Sequence, residues 1–210
     1  MTDPTAPVTT TVFVVDDDPS IRAAIKRLMA SVGLPCETFG GAAEFLQRTE
    51  QAVSGCVLLD VRMPGLSGMD LQRMLKAAGH DLPIIFVTAH ADVALTVRAM
   101  KEGAMEVLTK PFDGQVLLDA VYQALERERV RRIEREELQR YRERYETLTA
   151  REREVMMHVV QGIPNKQVAE ALGTAEKTIK VHRGQVMHKM HADSFADLVR
   201  MADRLGQAKT

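Results

Sequence analysis

The sequence predicts two domains joined by a long helix: a doubly wound α/β domain with a five-stranded parallel sheet, then an all-α domain of four helices. Three observations carry this prediction. Short apolar runs alternate with helical stretches five times over the first 125 residues. From Glu126 to Arg144, 14 of 19 residues are charged, and neither Gly nor Pro occurs. After Thr147 the apolar spacing is helical throughout.

In the first part, strands are expected near 11–15, 36–39, 55–59, 83–87 and 105–108, and helices near 19–32, 42–50, 67–78, 92–102 and 113–125. Runs such as Val12-Phe13-Val14-Val15 and Ile84-Ile85-Phe86-Val87 are short, continuous and β-branched. That composition fits strands buried on both faces of a parallel sheet. Gly33, Gly55, Gly79 and Gly103 fall at helix ends or in the turns after them. Ser67 is placed to cap the helix that follows it. Repeated βα units imply a parallel sheet with helices on both faces. Residues 1–10 are Thr- and Pro-rich and read as a disordered tail without the basic and apolar regions of a secretion signal.

The charged stretch 126–146 reads as a solvated linker helix. Glu128 with Arg132 and Glu136 with Arg140 are spaced i,i+4 in the favourable order. Leu138, Tyr141, Tyr145 and Leu148 follow a 3-4-3 spacing that suits a coiled-coil seam, so a short dimer contact and a lone solvated helix are both open. Beyond it, Thr149-Ala150-Arg151-Glu152 reads as a capping box opening a helix to about Gln161. Asn165 begins a short helix closed by Gly173, Thr174 opens a longer one to about Met190, and Ser194 opens a last one to about Leu205. Two helices joined by the tight turn Gly173-Thr174 are a helix-turn-helix signal.

Hydrophobic residues make up 45% and charged residues 27%, an ordinary balance for a globular chain. No apolar run is long enough to cross a membrane, so no membrane partner is expected. Cys36 and Cys56 make no metal-ligand spacing and read as buried, reduced thiols of a cytosolic protein. Residues 1–125 carry 10 Lys+Arg against 15 Asp+Glu, a net of −5, whereas residues 147–210 carry 10 against 7, a net of +3. An acidic front and a basic back suit different partners, the second of them anionic.

The chemistry sits directly after the strands. Asp16, Asp17 and Asp18 follow the first apolar run, Asp60 the third, Thr88 the fourth and Lys110 the fifth. In open α/β sheets the ligand site lies beyond the carboxyl ends of the strands. Asp16, Asp17 and Asp60 gathered there would repel one another unless a hard cation such as Mg²⁺ sat among them. A carboxylate is also a nucleophile toward phosphorus that needs no base. Lys110 would neutralise charge on the transferred oxygens, and the Thr88 hydroxyl could donate to them once present. Thr88 and the loop 89–92 would then form a two-state element. Asp18 reads as a helix N-terminal charge, His90 as either a tuner of acyl-phosphate hydrolysis or a solvated loop residue, and Met63, Met69, Met74 and Met100 as packing residues.

The segments Val14 to Pro19, Leu58 to Gly65, Val87 to His90 and Leu108 to Phe112 resemble the receiver domain of bacterial two-component response regulators over residues 11–125. The resemblance implies that Asp60 accepts a phosphoryl group from a phosphohistidine on a sensor histidine kinase. It implies that Asp16, Asp17, Asp60 and the backbone carbonyl of Arg62 hold Mg²⁺, that Thr88 and Lys110 read the phosphate, and that Lys110-Pro111 is cis. One position departs: the receiver pattern has Phe or Tyr three residues before the Lys, and here that residue is Val107.

Residues 147–206 resemble the LuxR-type helix-turn-helix of the NarL/FixJ family, through Leu148 to Val155, Gly162 to Ala169, Thr178 to His182, Met187 to Met190 and Ala196 to Val199. Ile179, His182, Val186 and Met190 fall on one face of the third helix, and Lys177, Lys180, Val181, Gly184 and His188 on another that should enter the major groove. Lys166, Gln167, Thr178 and Lys189 are candidates for phosphate contacts, and Lys180, Val181 and, at the margin, Arg183 for base edges. The whole chain is thus expected to be a cytoplasmic, DNA-binding transcriptional regulator. Phosphorylation would make it a homodimer on promoter DNA, with RNA polymerase a further candidate partner. It is not expected to be a turnover enzyme, since a haloacid-dehalogenase-type phosphatase needs a second Asp where Arg62 stands. Slow loss of its own phosphate is still expected. A third reading, constitutive DNA binding without phosphorylation control, is left open by Val107.

Overall fold

A computed structural model describes residues 10–49, 53–89 and 92–206, so most of the expected tail and His90 lie outside the described residues. The chain divides into two compact units between Arg131 and Arg132.

The first unit alternates β1 (Thr11–Val15), α1 (Pro19–Ser31), β2 (Cys36–Phe39), α2 (Ala42–Thr49), β3 (Gly55–Leu59), α3 (Gly68–Ala77), β4 (Ile84–Thr88), α4 (Val93–Glu102) and β5 (Glu106–Thr109) before α5 (Gly114–Glu146). All strand pairs are parallel, in the order β2-β1-β3-β4-β5. Chain direction across the sheet therefore reverses at β1 and β3, the place where such sheets bind ligands. The apolar runs are buried because each feeds two cores. Phe13, Val15, Val57, Leu59 and Phe86 face one cluster with Phe45, Leu71, Leu75 and Ala99. Val12, Val14, Cys56, Leu58, Ile85 and Val87 face the other with Ile25, Met29, Leu117, Val121 and Ala124. Cys56 is buried as expected and Cys36 only half-buried; burial pushes the Cys36 thiol up to about 11 and the Cys56 thiol to about 12, away from the thiolate form.

Ser67 caps α3 in a reciprocal box with Asp70, and Asp18 caps α1 by accepting from Ser20 N–H. β4 and β5 end one residue later than expected, which makes Thr88 the last residue of its strand.

α5 runs unbroken for 33 residues. Its final turns belong to the second unit, with α6 (Ala150–Val160), α7 (Asn165–Ala171), α8 (Glu176–Met190) and α9 (Phe195–Arg204). Thr149 and Glu152 form the expected capping box of α6, and Ser194 caps α9. α8 starts later than expected, with Ala175 as its N-cap, and Thr174 N–H closes the preceding turn by donating to Ala169 O at 2.9 Å. The core gathers Leu148, Val155, Met156, Val159, Val168, Ile179, Val186, Met190, Leu198 and Met201.

Tyr141 and Tyr145 pack against this core. The Tyr141 hydroxyl donates to Glu137 Oε1 at 2.7 Å, Glu137 pairs with Arg204, and the Arg153 guanidinium stacks 5.1 Å from the Tyr145 ring. Tyr141, Tyr145 and Leu148 of the 3-4-3 pattern are thus engaged within the chain. The wholly solvated reading of α5 is also corrected, since Glu128 is buried. We expect Tyr145→Ala to destabilise the second unit by about 2 kcal/mol, a partial loss of aromatic packing. Urea unfolding at two protein concentrations checks this: the loss should be the same at both, whereas a dimer seam would make it concentration-dependent.

Candidate functional site: an acidic pocket and a helical nucleic-acid face

The register of the sheet assembles the pocket. β1 pairs with β3 so that Val15 lies beside Leu59, and the next residues are Asp16 and Asp60. Asp60 N–H donates to Val15 O at 2.9 Å and Asp16 N–H to Phe39 O at 3.1 Å. On the other flank β4 pairs with β5 so that Thr88 lies beside Thr109, and Lys110 N–H donates to Thr88 O at 2.8 Å. The Lys110-Pro111 bond is cis.

The side chains converge. Lys110 Nζ lies 2.6 Å from Asp16 Oδ2 and 2.9 Å from Asp60 Oδ2. Asp16, Asp60 and Thr88 are buried, while Asp17 is exposed at the rim. Asp18 N–H donates to Asp16 Oδ1 and Arg62 N–H to Asp60 Oδ1 at 3.2 Å. Arg62 is exposed, and its main chain lies on the loop beside Asp60.

Burial raises the Asp16 carboxyl above its ordinary range, against the pull of Lys110 and the Asp18 N–H and with the help of Asp60. Burial would lower the Lys110 ammonium, but its hydrogen bonds and attraction to Asp16 and Asp60 outweigh this and raise it. One ammonium thus serves two buried carboxylates, with a third at the rim. Carboxylate oxygens of Asp16, Asp17 and Asp60 all lie within 4.8 Å of one another. This hard, all-oxygen, negatively charged set fits a divalent cation.

Gly68 is a positioning residue that the sequence pattern did not reveal. A Cβ on it would lie 2.1 Å from Asp60 O and 3.1 Å from Leu59 Cγ. Its N–H donates to Val61 O at 3.0 Å, so α3 begins pressed against the backbone that carries Asp60.

In the second unit, Lys177, Lys180, Val181, Gly184 and His188 are exposed on α8, and Ile179, Val186 and Met190 are buried. His182 is half-buried. Lys166 and Gln167 are exposed on α7, and Thr178 on the first turn of α8. Lys180 pairs with Glu176 at 3.2 Å across one exposed turn. Lys189 is different: its Nζ lies 2.6 Å from the buried Glu152 and 3.4 Å from Thr147 O. Arg183 is half-buried and donates to Asn165 Oδ1. A phosphate contact by Lys189, or a base contact by Arg183, would compete with these bonds.

Residues 12–122 match the response regulator receiver domain, and residues 146–202 match the bacterial regulatory proteins of the luxR family. The chain belongs to the two-component response regulators. It is 51% identical over 195 residues to nodulation protein W of Bradyrhizobium diazoefficiens, covering 93% of this chain and 86% of that protein. It is 40% identical to the transcriptional regulatory protein FixJ of Azorhizobium caulinodans, covering 94% and 93%. Among solved structures, response regulator StyR is similar with a TM-score of 0.82 and 46% identity over 93% of this chain and 99% of StyR. Full-length FixJ from B. japonicum is similar with a TM-score of 0.58 and 36% identity over 97% and 100%. This response regulator is a transcriptional regulator of a two-component system with a LuxR-type DNA-binding domain, not an enzyme of the usual kind. No helix among the described residues is long and apolar enough to cross a membrane.

Mg²⁺ should raise the melting temperature of the wild-type chain by a few degrees through preferential binding to the folded state. Asp16→Asn should abolish that shift. Gly68→Ala should cost about 1–3 kcal/mol, as overpacked sites do, and should also blunt the Mg²⁺ response by moving Asp60. A Gly68→Ala chain with wild-type stability and Mg²⁺ response would refute the role assigned to Gly68.

Proposed function

We propose that Asp60 is the phosphoacceptor through which a sensor histidine kinase controls DNA binding by this chain. The observation that carries this reading is the convergence of Asp16, Asp60 and Lys110 on one buried spot at the sheet edge. Domain roles follow: residues 11–125 receive the phosphoryl group, 126–146 connect, and 147–206 bind promoter DNA. In the transfer step an Asp60 carboxylate oxygen bonds to phosphorus as the phosphorus–nitrogen bond of the donor phosphohistidine breaks. The bonding pair stays on the imidazole. Lys110 is already 2.9 Å from Asp60 and offsets charge on the transferred oxygens. Asp16, Asp17, Asp60 and the Arg62 carbonyl would hold Mg²⁺, which supplies further neutralisation of phosphoryl charge. Hydrolysis of the aspartyl phosphate by water returns the chain to rest, slowly and without turnover of an external substrate.

Thr88 donates its hydroxyl to the new phosphoryl oxygens and draws the following segment inward. Val107 is half-buried on β5 against the hydrophobic core and has no ring to turn, so the signal runs mainly through residues 89–102. There α4 exposes Val93, Val97 and Met100 on one stripe, an apolar surface suited to a second receiver. Dimerisation places two helix-turn-helix units on adjacent half-sites. On DNA, Lys166, Gln167 and Thr178 contact phosphates, while Lys177, Lys180 and Val181 lie on the face that enters the major groove, Lys180 and Val181 at base edges, with Gly184 allowing close approach. The regulator works in the cytoplasm, with RNA polymerase as a further candidate partner.

Sedimentation with Mg²⁺ and beryllofluoride tests the switch. Wild type should pass from monomer to dimer, and Asp60→Asn should not respond. Thr88→Ala should blunt the response, whereas Val107→Ala and Val107→Tyr should leave it nearly intact. A Val107 effect as large as that of Thr88 would refute the route through 89–102. DNA footprints that are equal for wild type and Asp60→Asn would favour constitutive binding.

A further inference from the structure

Arg183 sits in the middle of α8, next to Gly184 on the exposed face, yet its side chain is engaged within the unit. Its Nη1 donates to Asn165 Oδ1 at 3.4 Å, and its guanidinium carbon lies 5.2 Å from the centroid of the Phe195 ring. The three residues come from three helices: Asn165 opens α7, and Phe195 opens α9.

Each partner is unusual for its place until the others are considered. Asn165 is a residue type suited to capping, but the N-cap of α7 is Pro164 and no side chain caps it. Phe195 is 38% exposed and stands outside the hydrophobic core. Arg183 has no carboxylate partner among the described residues, although carboxylates pair with Lys180, Lys189, Arg200 and Arg204 in the same unit. A planar guanidinium accounts for all three, because it can donate in its plane to an amide while its face lies on a ring. The position also matters. A Cβ added at Gly184 would meet nothing within 4 Å, so α8 presents bare backbone there. The approach of that backbone to a groove is then set by how the helix is held from behind.

We propose that Arg183 is a positioning residue for DNA recognition, latching the midpoint of α8 to α7 and α9 instead of touching DNA. This rests on the reading of residues 147–206 as the DNA-binding domain. Lysine keeps the charge but cannot hold amide and ring together, and tyrosine at 195 keeps the platform where leucine removes it.

The test uses the full-length chain with Mg²⁺ and beryllofluoride, and a duplex enriched by the wild-type protein from a random-sequence pool. Binding is read by fluorescence anisotropy over a salt series, with circular-dichroism melts to establish folding. Arg183→Lys and Phe195→Leu should each weaken the enriched duplex by roughly three- to thirty-fold, the span of a cation–π contact converted to affinity. Phe195→Tyr should bind as wild type, and the double variant Arg183→Lys/Phe195→Leu should be no weaker than either single one. Salt slope and affinity for unselected duplex should not change. A slope reduced by about 0.9 in Arg183→Lys would make Arg183 a phosphate contact and overturn the proposal. Loss of preference at a single base pair would make it a base reader, and wild-type binding by Phe195→Leu would remove the latch; either overturns it. Should Arg183→Lys fail to fold, the Phe195→Leu and Phe195→Tyr pair decides. If the wild-type chain enriches no duplex, the DNA-binding reading itself fails, an outcome distinct from any variant effect.

Discussion

The main-chain hydrogen bond from Asp60 to Val15 O, 2.9 Å long, is the contact on which the acidic pocket depends. It extends the β1–β3 register by one residue beyond the strands, so that two carboxylates leave the sheet side by side. A slip of one residue would separate them, and it would also exchange the side chains that feed the two cores. Val57 and Leu59 would then trade faces with Cys56 and Leu58. The hydrophobic packing of the whole unit therefore enforces a juxtaposition that is electrostatically unfavourable in itself. Burial that raises Asp16 is one sign of that conflict, and the shared ammonium of Lys110 is its partial remedy. Local cost at a site held by a consistent surrounding fold is a common mark of function.

The same logic holds α3 in place. Ser67 and Asp70 cap each other, and Gly68 lets the helix start against the Asp60 carbonyl. The loop that carries Asp60 is thus bounded by a strand on one side and a helix terminus on the other, with Arg62 N–H tied to the Asp60 carboxylate between them. The opposite flank is built differently. Thr88 and Lys110 sit at the ends of adjacent strands, and their main chains are joined by one hydrogen bond. A group bound at Asp60 can act on that flank through side chains without disturbing the register beneath.

Most of this was legible because short apolar runs followed by single polar residues can mean little else in a repeated βα chain. The sheet edge, the N-cap at Ser67, the capping box at Thr149, and the exposed and buried faces of α8 all follow from local chemistry. What could not be read are facts of tertiary approach. Gly68 is the first residue of α3, a place that does not call for glycine, and the Asp60 carbonyl explains it. The 3-4-3 spacing of Leu138, Tyr141, Tyr145 and Leu148 marks an apolar stripe, but spacing does not say whether the partner is another chain or the helices that follow. Thr174 is a good capping type, yet the N-cap of α8 falls at Ala175 and no side chain caps the helix. The bonds of Arg183 to Asn165 on α7 and of Lys189 to Glu152 on α6 likewise leave no trace in the sequence pattern.

The placement of the tyrosines gives the chain an intrinsic optical label. It has no tryptophan and three tyrosines. Tyr141 and Tyr145 pack on the core of the second unit, while Tyr122 is exposed on α5 and the rings packed on the cores of the first unit are those of Phe13, Phe39, Phe45, Phe86 and Phe112. Tyrosine emission will therefore follow the order of the DNA-binding half, and far-ultraviolet ellipticity will follow both halves together. Divergence between the two signals during denaturation would measure how far the units melt as separate cooperative bodies, with no probe attached to either.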